Sequence, residues 1–258
     1  MAKKWSAFPY PDKAYTHDAA GLKKLWPRLH RGDCEPLPKD AAALDAWRQF
    51  HAGAFGDAVD AGRKAGGAAS HAAIKAQMIY ANYLEKSEKA KLALLEEAAG
   101  WADELRSGAP KVANAHYFYA YALGRYSQGI SITKALAQGY GGKIKDALTT
   151  AIKLEPKHAD AHTAFGSYQA EIIDKVGGIV AGMTYGVKKD SALEHFQKAL
   201  KLNPDSAIAR IEYANGLIML FGKSRVADAE KLYKEAAACK PADAMERLDV
   251  ELARSELE

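Results

Sequence analysis

Between Ser191 and Leu220 the chain reads SALEHFQKALKLNPDSAIARIEYANGLIML, and no other stretch constrains the fold as much. Ala192, Phe196, Ala199 and Pro204 stand at offsets of four, three and five. Small residues let two helices approach closely and an aromatic ring fills the space between them. Proline ends a helix because it has no N–H for the ladder. The stretch predicts the second helix of one helical hairpin, a turn at Asn203-Pro204, and the first helix of the next.

The same elements recur upstream and downstream. Residues 1–39 hold five of the nine prolines, which predicts an extended arm with one short helix near Asp18 to Trp26. Trp5, Phe8, Tyr10, Tyr15 and Trp26 make the arm too aromatic for a disordered tail, so its rings are expected to lie on the first hairpin and cover that end. Hairpins follow over Asp40–Gly66 and Ser70–Ser107, then after Pro110, from Ala159 and from Ala207. The cadence resembles the tetratricopeptide repeat, whose unit is about 34 residues. That resemblance implies an all-α, right-handed, tetratricopeptide-like solenoid of about five hairpins over residues 40–241. Residues 242–258, with Leu248, Leu252 and Leu257 on a thin stripe, are expected to form a polar capping helix.

Pro110, Pro156, Pro204 and Pro241 are separated by 46, 48 and 37 residues. The third and fourth units therefore carry roughly 12–14 residues beyond the repeat length. The extras fall between the helices of each hairpin, at Ser127–Lys143 and Ile172–Lys188. AHYFYAYALG, QGISITKALAQGYGGKIKDALTTAIKLEP and HADAHTAFGSYQAEI, within residues 111–204, resemble the tetratricopeptide-like domain of the regulator of microtubule dynamics family and bacterial proteins of similar layout. The resemblance implies an all-helical adaptor without catalysis. It does not imply microtubule binding, because no basic tail suited to an acidic tubulin surface is present.

Composition excludes several classes. The net charge of +4 is small, and the basic residues form no stripe with interleaved aromatics, so no nucleic-acid partner is expected. Lys3-Lys4 precede no apolar run, which predicts no secretory leader. The longest weakly polar run, Val176–Val187, spans 12 residues, where a membrane-spanning helix needs about 20. Cys34 and Cys239 lack metal-type spacing and read as free thiols of a reducing, cytoplasmic compartment.

Candidate sites concentrate on the first helix of each hairpin. In this repeat its inward positions would be Asn114, Tyr117, Tyr121 and Gly124, then Asp160, Thr163, Ser167 and Ala170, then Ile208, Ile211, Asn215 and Ile218. A protein or peptide partner is expected in that groove, anchored on Asn114, Tyr117, Tyr121, Thr163, Ser167, Ile211, Asn215 and Ile218. The alternatives are that the insertions or the arm fill the groove, or that the tyrosines pack as core. Gly178, Gly182 and Gly186, spaced by four, form either a bare helix-packing stripe or a lid. Neither insertion fits a phosphate loop. His158 and His162 share a helical face without the glutamate of a zinc-protease motif, and read as solvated or capping residues. No catalytic set, cofactor or metal site is expected. The function classes are therefore a non-catalytic interaction scaffold, a carrier of a small ligand held between insertions and groove, or a structural homo-oligomer.

Overall fold

Helix starts follow the residues able to cap them. In the computed structural model, which describes residues 5–258, Asp18 accepts the Gly21 N–H ahead of α1 (Ala19–Leu29), and Asp40 accepts the Ala43 N–H ahead of α2 (Ala41–His51). α3 (Phe55–Ala65) stops at Gly66, whose φ of 67° suits a residue without a Cβ. α4 (Ala69–Tyr83), α5 (Glu88–Gly108), α6 (Ala113–Gln128), α7 (Ile132–Ala137) and α8 (Tyr140–Leu154) follow. Then come α9 (Ala159–Val176), α10 (Gly178–Tyr185), α11 (Lys189–Leu202), α12 (Ala207–Phe221), α13 (Val226–Ala237) and α14 (Ala244–Ser255). Among the described residues the chain is all-helical, with no strand.

Consecutive helices pair as hairpins: α2 with α3, α4 with α5, α6 with α8, α9 with α11, and α12 with α13. The first helix of each hairpin also touches the first helix of the next, so α2, α4, α6, α9 and α12 form one inner layer. α7 and α10 occupy the two inserted stretches. Gly177, at φ 80°, separates α9 from α10, and Gly186, at φ 65°, ends α10. The glycine face of α10 packs no helix: a Cβ at Gly178 would meet open space, and one at Gly182 only the Val187 carbonyl at 3.8 Å. The helix-packing stripe is therefore corrected to a short, glycine-bounded helix whose Ile179 and Met183 are exposed.

The Ala192–Phe196–Ala199 cadence does what its chemistry dictates. All three residues are fully buried on α11, and the Phe196 ring stacks 5.1 Å from Tyr213. Gly166 and Gly216 flank that ring; a Cβ would approach Phe196 carbons within 2.9 and 2.5 Å. Gly216→Ala is expected to destabilise by about 1 kcal/mol net, because overpacking of roughly 1–3 kcal/mol exceeds the roughly 1 kcal/mol helix gain. Gly100→Ala on α5, with nothing within 4 Å, should instead raise stability by about 0.5–1 kcal/mol. Urea midpoints of the two variants check the contrast; a stabilised Gly216→Ala would mean that the Phe196 ring has room to move.

The ends of the chain depart from expectation. The arm's rings reach the first hairpin, where Phe8 meets Phe55 at 6.2 Å over Gly53 and Trp5 covers Gly56, and Trp5 also meets Tyr80 of the second hairpin at 4.5 Å. Residues 1–4 of the arm lie outside the described residues. Its later part, residues 28–35, goes further and straps the inner layer. Arg28 pairs with Glu246 at 2.6 Å, Arg31 with Asp205 at 2.7 Å, and the Gly32 carbonyl accepts the Asp160 N–H at 3.0 Å. α14 packs on α12 and α13 and reaches α2, with Ala244, Leu248, Asp249, Val250 and Ala253 buried. The last helix thus covers the final hairpin and in addition joins the two ends of the hairpin row. Its apolar residues find a surface on both ends that a sequence stripe does not disclose.

Candidate functional site

The strap is held by buried polar groups, each of which needs a partner. Lys75 on α4 is 4% exposed and donates to Asp33 at 2.6 Å. Burial alone would raise the Asp33 carboxyl and lower the Lys75 ammonium. Their mutual attraction reverses both, and with His30 it holds Asp33 well below the usual carboxylate range. His30 Nδ1 lies 2.9 Å from Asp33, His30 Nε2 lies 3.2 Å from His51 Nε2, and His51 Nδ1 lies 2.6 Å from Asp243 at the start of α14. Both Nδ1 atoms thus face carboxylates, and burial pushes the His51 ring down to about 4 although Asp243 opposes that shift. A second chain runs beside it. His158 Nδ1 accepts the Ala161 N–H, so its Nε2 donates to Asn114 Oδ1 at 2.8 Å, and Asn114 Nδ2 donates to Glu35 at 2.6 Å. Burial pushes His158 down to about 4, consistent with a neutral capping ring. His158 caps as expected, but it is wholly buried, not solvated.

Between strap, inner layer and α14 lies a cavity of about 190 Å³. One end is polar, with Lys75 from the middle of α4 and Tyr117, Asp160 and Thr163 from the first turns of α6 and α9. Its middle carries Tyr83, Tyr121, Arg125, Ser167, Glu212 and Asp249. The far end is apolar, where Ile144, Leu148, Tyr168, Ile172 and Val176 meet Ile132 and Leu136 of α7 and Tyr185 of α10. Asp160 and Ile172 lie twelve residues apart on α9, a span of about 18 Å. Arg125 reaches Glu212 at 2.5 Å, and Glu212 also accepts from Ser167 at 2.8 Å. Burial pushes Asp160 up to about 6 and Asp249 up to about 8. The Tyr83 hydroxyl donates to Asp249 at 2.5 Å and partly opposes that shift.

The structure sorts the expected groove residues. Tyr117, Tyr121, Thr163 and Ser167 line the cavity together. Asn114 does not; it is buried beneath the strap on Glu35 and His158. On α12 the inward face is turned by about one residue, so that Ile208 and Glu212 reach the cavity. Ile211 packs instead with Ala236, Val250 and Ala253, Asn215 accepts the Tyr233 hydroxyl, and Ile218 is exposed. The docking of α14 against α12 explains the turn, since Ile211 is the side chain it covers. The strap, which belongs to the N-terminal arm, and α14 close one part of the groove, and α7 and α10 of the insertions wall its far end.

The family model for Regulator of microtubule dynamics protein 1-3 matches residues 68–256. The chain belongs to the regulator of microtubule dynamics family. No curated protein matches it. The matched span begins just before α4 and runs through α14, a longer stretch than residues 111–204 that carried the resemblance. In this member of the regulator of microtubule dynamics family, nearly the whole cavity wall falls inside the span; Leu29 and Gly32 come from outside it. Lys75, Arg125, Glu212 and Asp249 are cavity residues that groove positions did not predict. Lys75 alone had a local signal: one lysine inside the apolar run HAAIKAQMIYANY must be paired if the helix is buried. No helix among the described residues is long and apolar enough to cross a membrane.

Proposed function

We propose that this protein is a non-catalytic binder of a small amphipathic molecule, held in the cavity between strap, inner layer and α14. The observation that carries this reading is the occupancy of the concave face. Where a peptide would lie, the chain has placed its own residues 28–35 and α14, leaving an elongated space with a polar end and an apolar end. Largely apolar concavities with a few convergent polar groups are the usual form of small-molecule sites. Carboxylates displaced upward by burial cluster in such sites more often than elsewhere. We read the hairpin row itself as a tetratricopeptide-like right-handed stack, supported by the buried Ala192, Phe196 and Ala199 and by the inner-layer contacts.

A neutral fluorescent probe, N-phenyl-1-naphthylamine, tests the reading. Its emission should rise on adding the protein and saturate at about one equivalent. Ala164→Phe, placing a ring where a small cavity-lining residue stands, should abolish the rise while leaving the circular dichroism spectrum unchanged. A probe response equal in both proteins would assign it to another surface, and no response in either would end the proposal.

A further inference from the structure

The charges around the cavity do not cancel. Lys75 is engaged by Asp33 at 2.6 Å, Arg125 by Glu212 at 2.5 Å, Arg28 by Glu246 at 2.6 Å, and Lys175 by Glu171 at 3.5 Å. Each cation facing this space thus has a carboxylate partner. Asp160 has none: no described side chain donates to its carboxylate, although Lys75 is the cation that most favours its charge. The strap packs over it through Gly32, where a Cβ would come within 2.3 Å of Asp160 Oδ1. A second group is left unpartnered beside it. Tyr117 is only 7% exposed and lines the cavity, yet its hydroxyl bonds to no described residue. With its pKa near 6, Asp160 is mostly ionised at neutral pH. Asp160 is only half-buried, so its carboxylate stays open to the cavity and can accept a cation from it.

Building on the small-ligand reading, we infer that the ligand is a monovalent organic cation with an apolar chain, its amine or quaternary ammonium at Asp160 and Tyr117. Asp160 supplies the counter-charge. Tyr117 and Tyr121, with ring centroids 6.1 Å apart, supply aromatic surface that attracts a cation. The chain runs along α9 towards Tyr168, Ile172 and the α7 and α10 residues, where the wall carries no charge apart from the Glu171–Lys175 pair. An anionic headgroup is disfavoured at the polar end, because it would meet Asp160 while Lys75 and Arg125 are already neutralised.

The test is competition for the bound probe by three molecules of one chain length: octyltrimethylammonium, octanol and octanoate. The cation should displace the probe at a concentration at least tenfold below octanol, and octanoate should be the weakest. Asp160→Asn should erase the tenfold preference and leave octanol displacement unchanged, its melting temperature being measured alongside. Tyr117→Phe keeps the ring and removes the hydroxyl, and should retain most of the preference. If octanol or octanoate competes as well as the cation, the charge inference falls while the cavity reading stands. If Asp160→Asn folds and keeps the full preference, the headgroup lies elsewhere and the assignment is overturned. If none of the three displaces a probe that does bind, both readings fall.

Discussion

Lys75→Met is expected to cost about 3–5 kcal/mol of folding stability, the range for breaking a buried ion pair from one side. The methionine matches the length of the lysine stem, so the loss does not come from a cavity. It comes from Asp33, which is 1% exposed and would keep its charge with only His30 and the Glu35 N–H to face it. Ammonium and carboxylate lie 2.6 Å apart, and Lys75 also sits 5.6 Å from the Phe50 ring and 5.9 Å from the Trp47 ring. The strap should detach before the hairpins melt, because Asp33 belongs to the strap and Lys75 to α4 of the inner layer. Hydrogen exchange would then rise first in residues 28–35 and in the start of α14, which is tied to the same network through His51 and Asp243. Lys75→Met/Asp33→Leu, which removes both charges, should recover most of the loss. A single variant within 1 kcal/mol of the parent, read from denaturant midpoints, would mean the network holds nothing.

Much of this architecture was legible in residue order, and the reasons are local. Hairpin boundaries follow from prolines, cap residues and glycines within a few positions of each helix end, which is why α2 to α5 form where expected. Tyr117, Tyr121, Thr163 and Ser167 line one cavity because positions along one helix share a face at fixed spacing, which residue order discloses. What depends on distant segments was not legible. Ile211 and Asn215 were set on the groove because α12 was read alone, and α14, arriving about forty residues later, covers Ile211. The burial of Asp249 in the terminal helix is hidden for the same reason: flanked by the apolar Leu248 and Val250, it looks solvated until Tyr83 is brought to it from α4. The strap was hidden because Asp33 and Glu35, between prolines and a cysteine, read as loop charges. Only the fold supplies Lys75, His71 and Asn114 as their partners.

Asp249→Asn is expected to stabilise the protein at neutral pH, by roughly 2 kcal/mol or more. Asp249 is 3% exposed, and burial, reinforced by Glu246, Asp243 and Asp160, pushes its carboxyl up to about 8 from the usual 3.8. In the folded chain it keeps its proton at pH 7, whereas in the unfolded chain it loses it near pH 3.8. Below pH 3.8 both states are protonated and the group costs nothing. As pH rises towards 8 the unfolded state gains from ionising and the folded state does not, so stability falls by about 1.4 kcal/mol per unit. By pH 7 the loss is on the order of 4 kcal/mol. Above pH 8 the folded group ionises too and the slope ends. An asparagine accepts the Tyr83 hydroxyl in the same way, carries no charge in either state, and so removes the slope. The variant's advantage should be large at pH 7.5 and nearly absent at pH 4. His51 and His158, which burial pushes down to about 4, weaken the fold below about pH 6.5 in both proteins, so each comparison is made at matched pH. An advantage that does not change between pH 4 and pH 7.5 would trace the effect to packing. A loss at both would mean that the carboxylate is paired in a way the Tyr83 contact does not account for. A carboxyl this costly, placed on the wall of a cavity, is tolerated where something other than stability selects it. Measured ligand affinity should therefore fall in the same variant whose melting temperature rises.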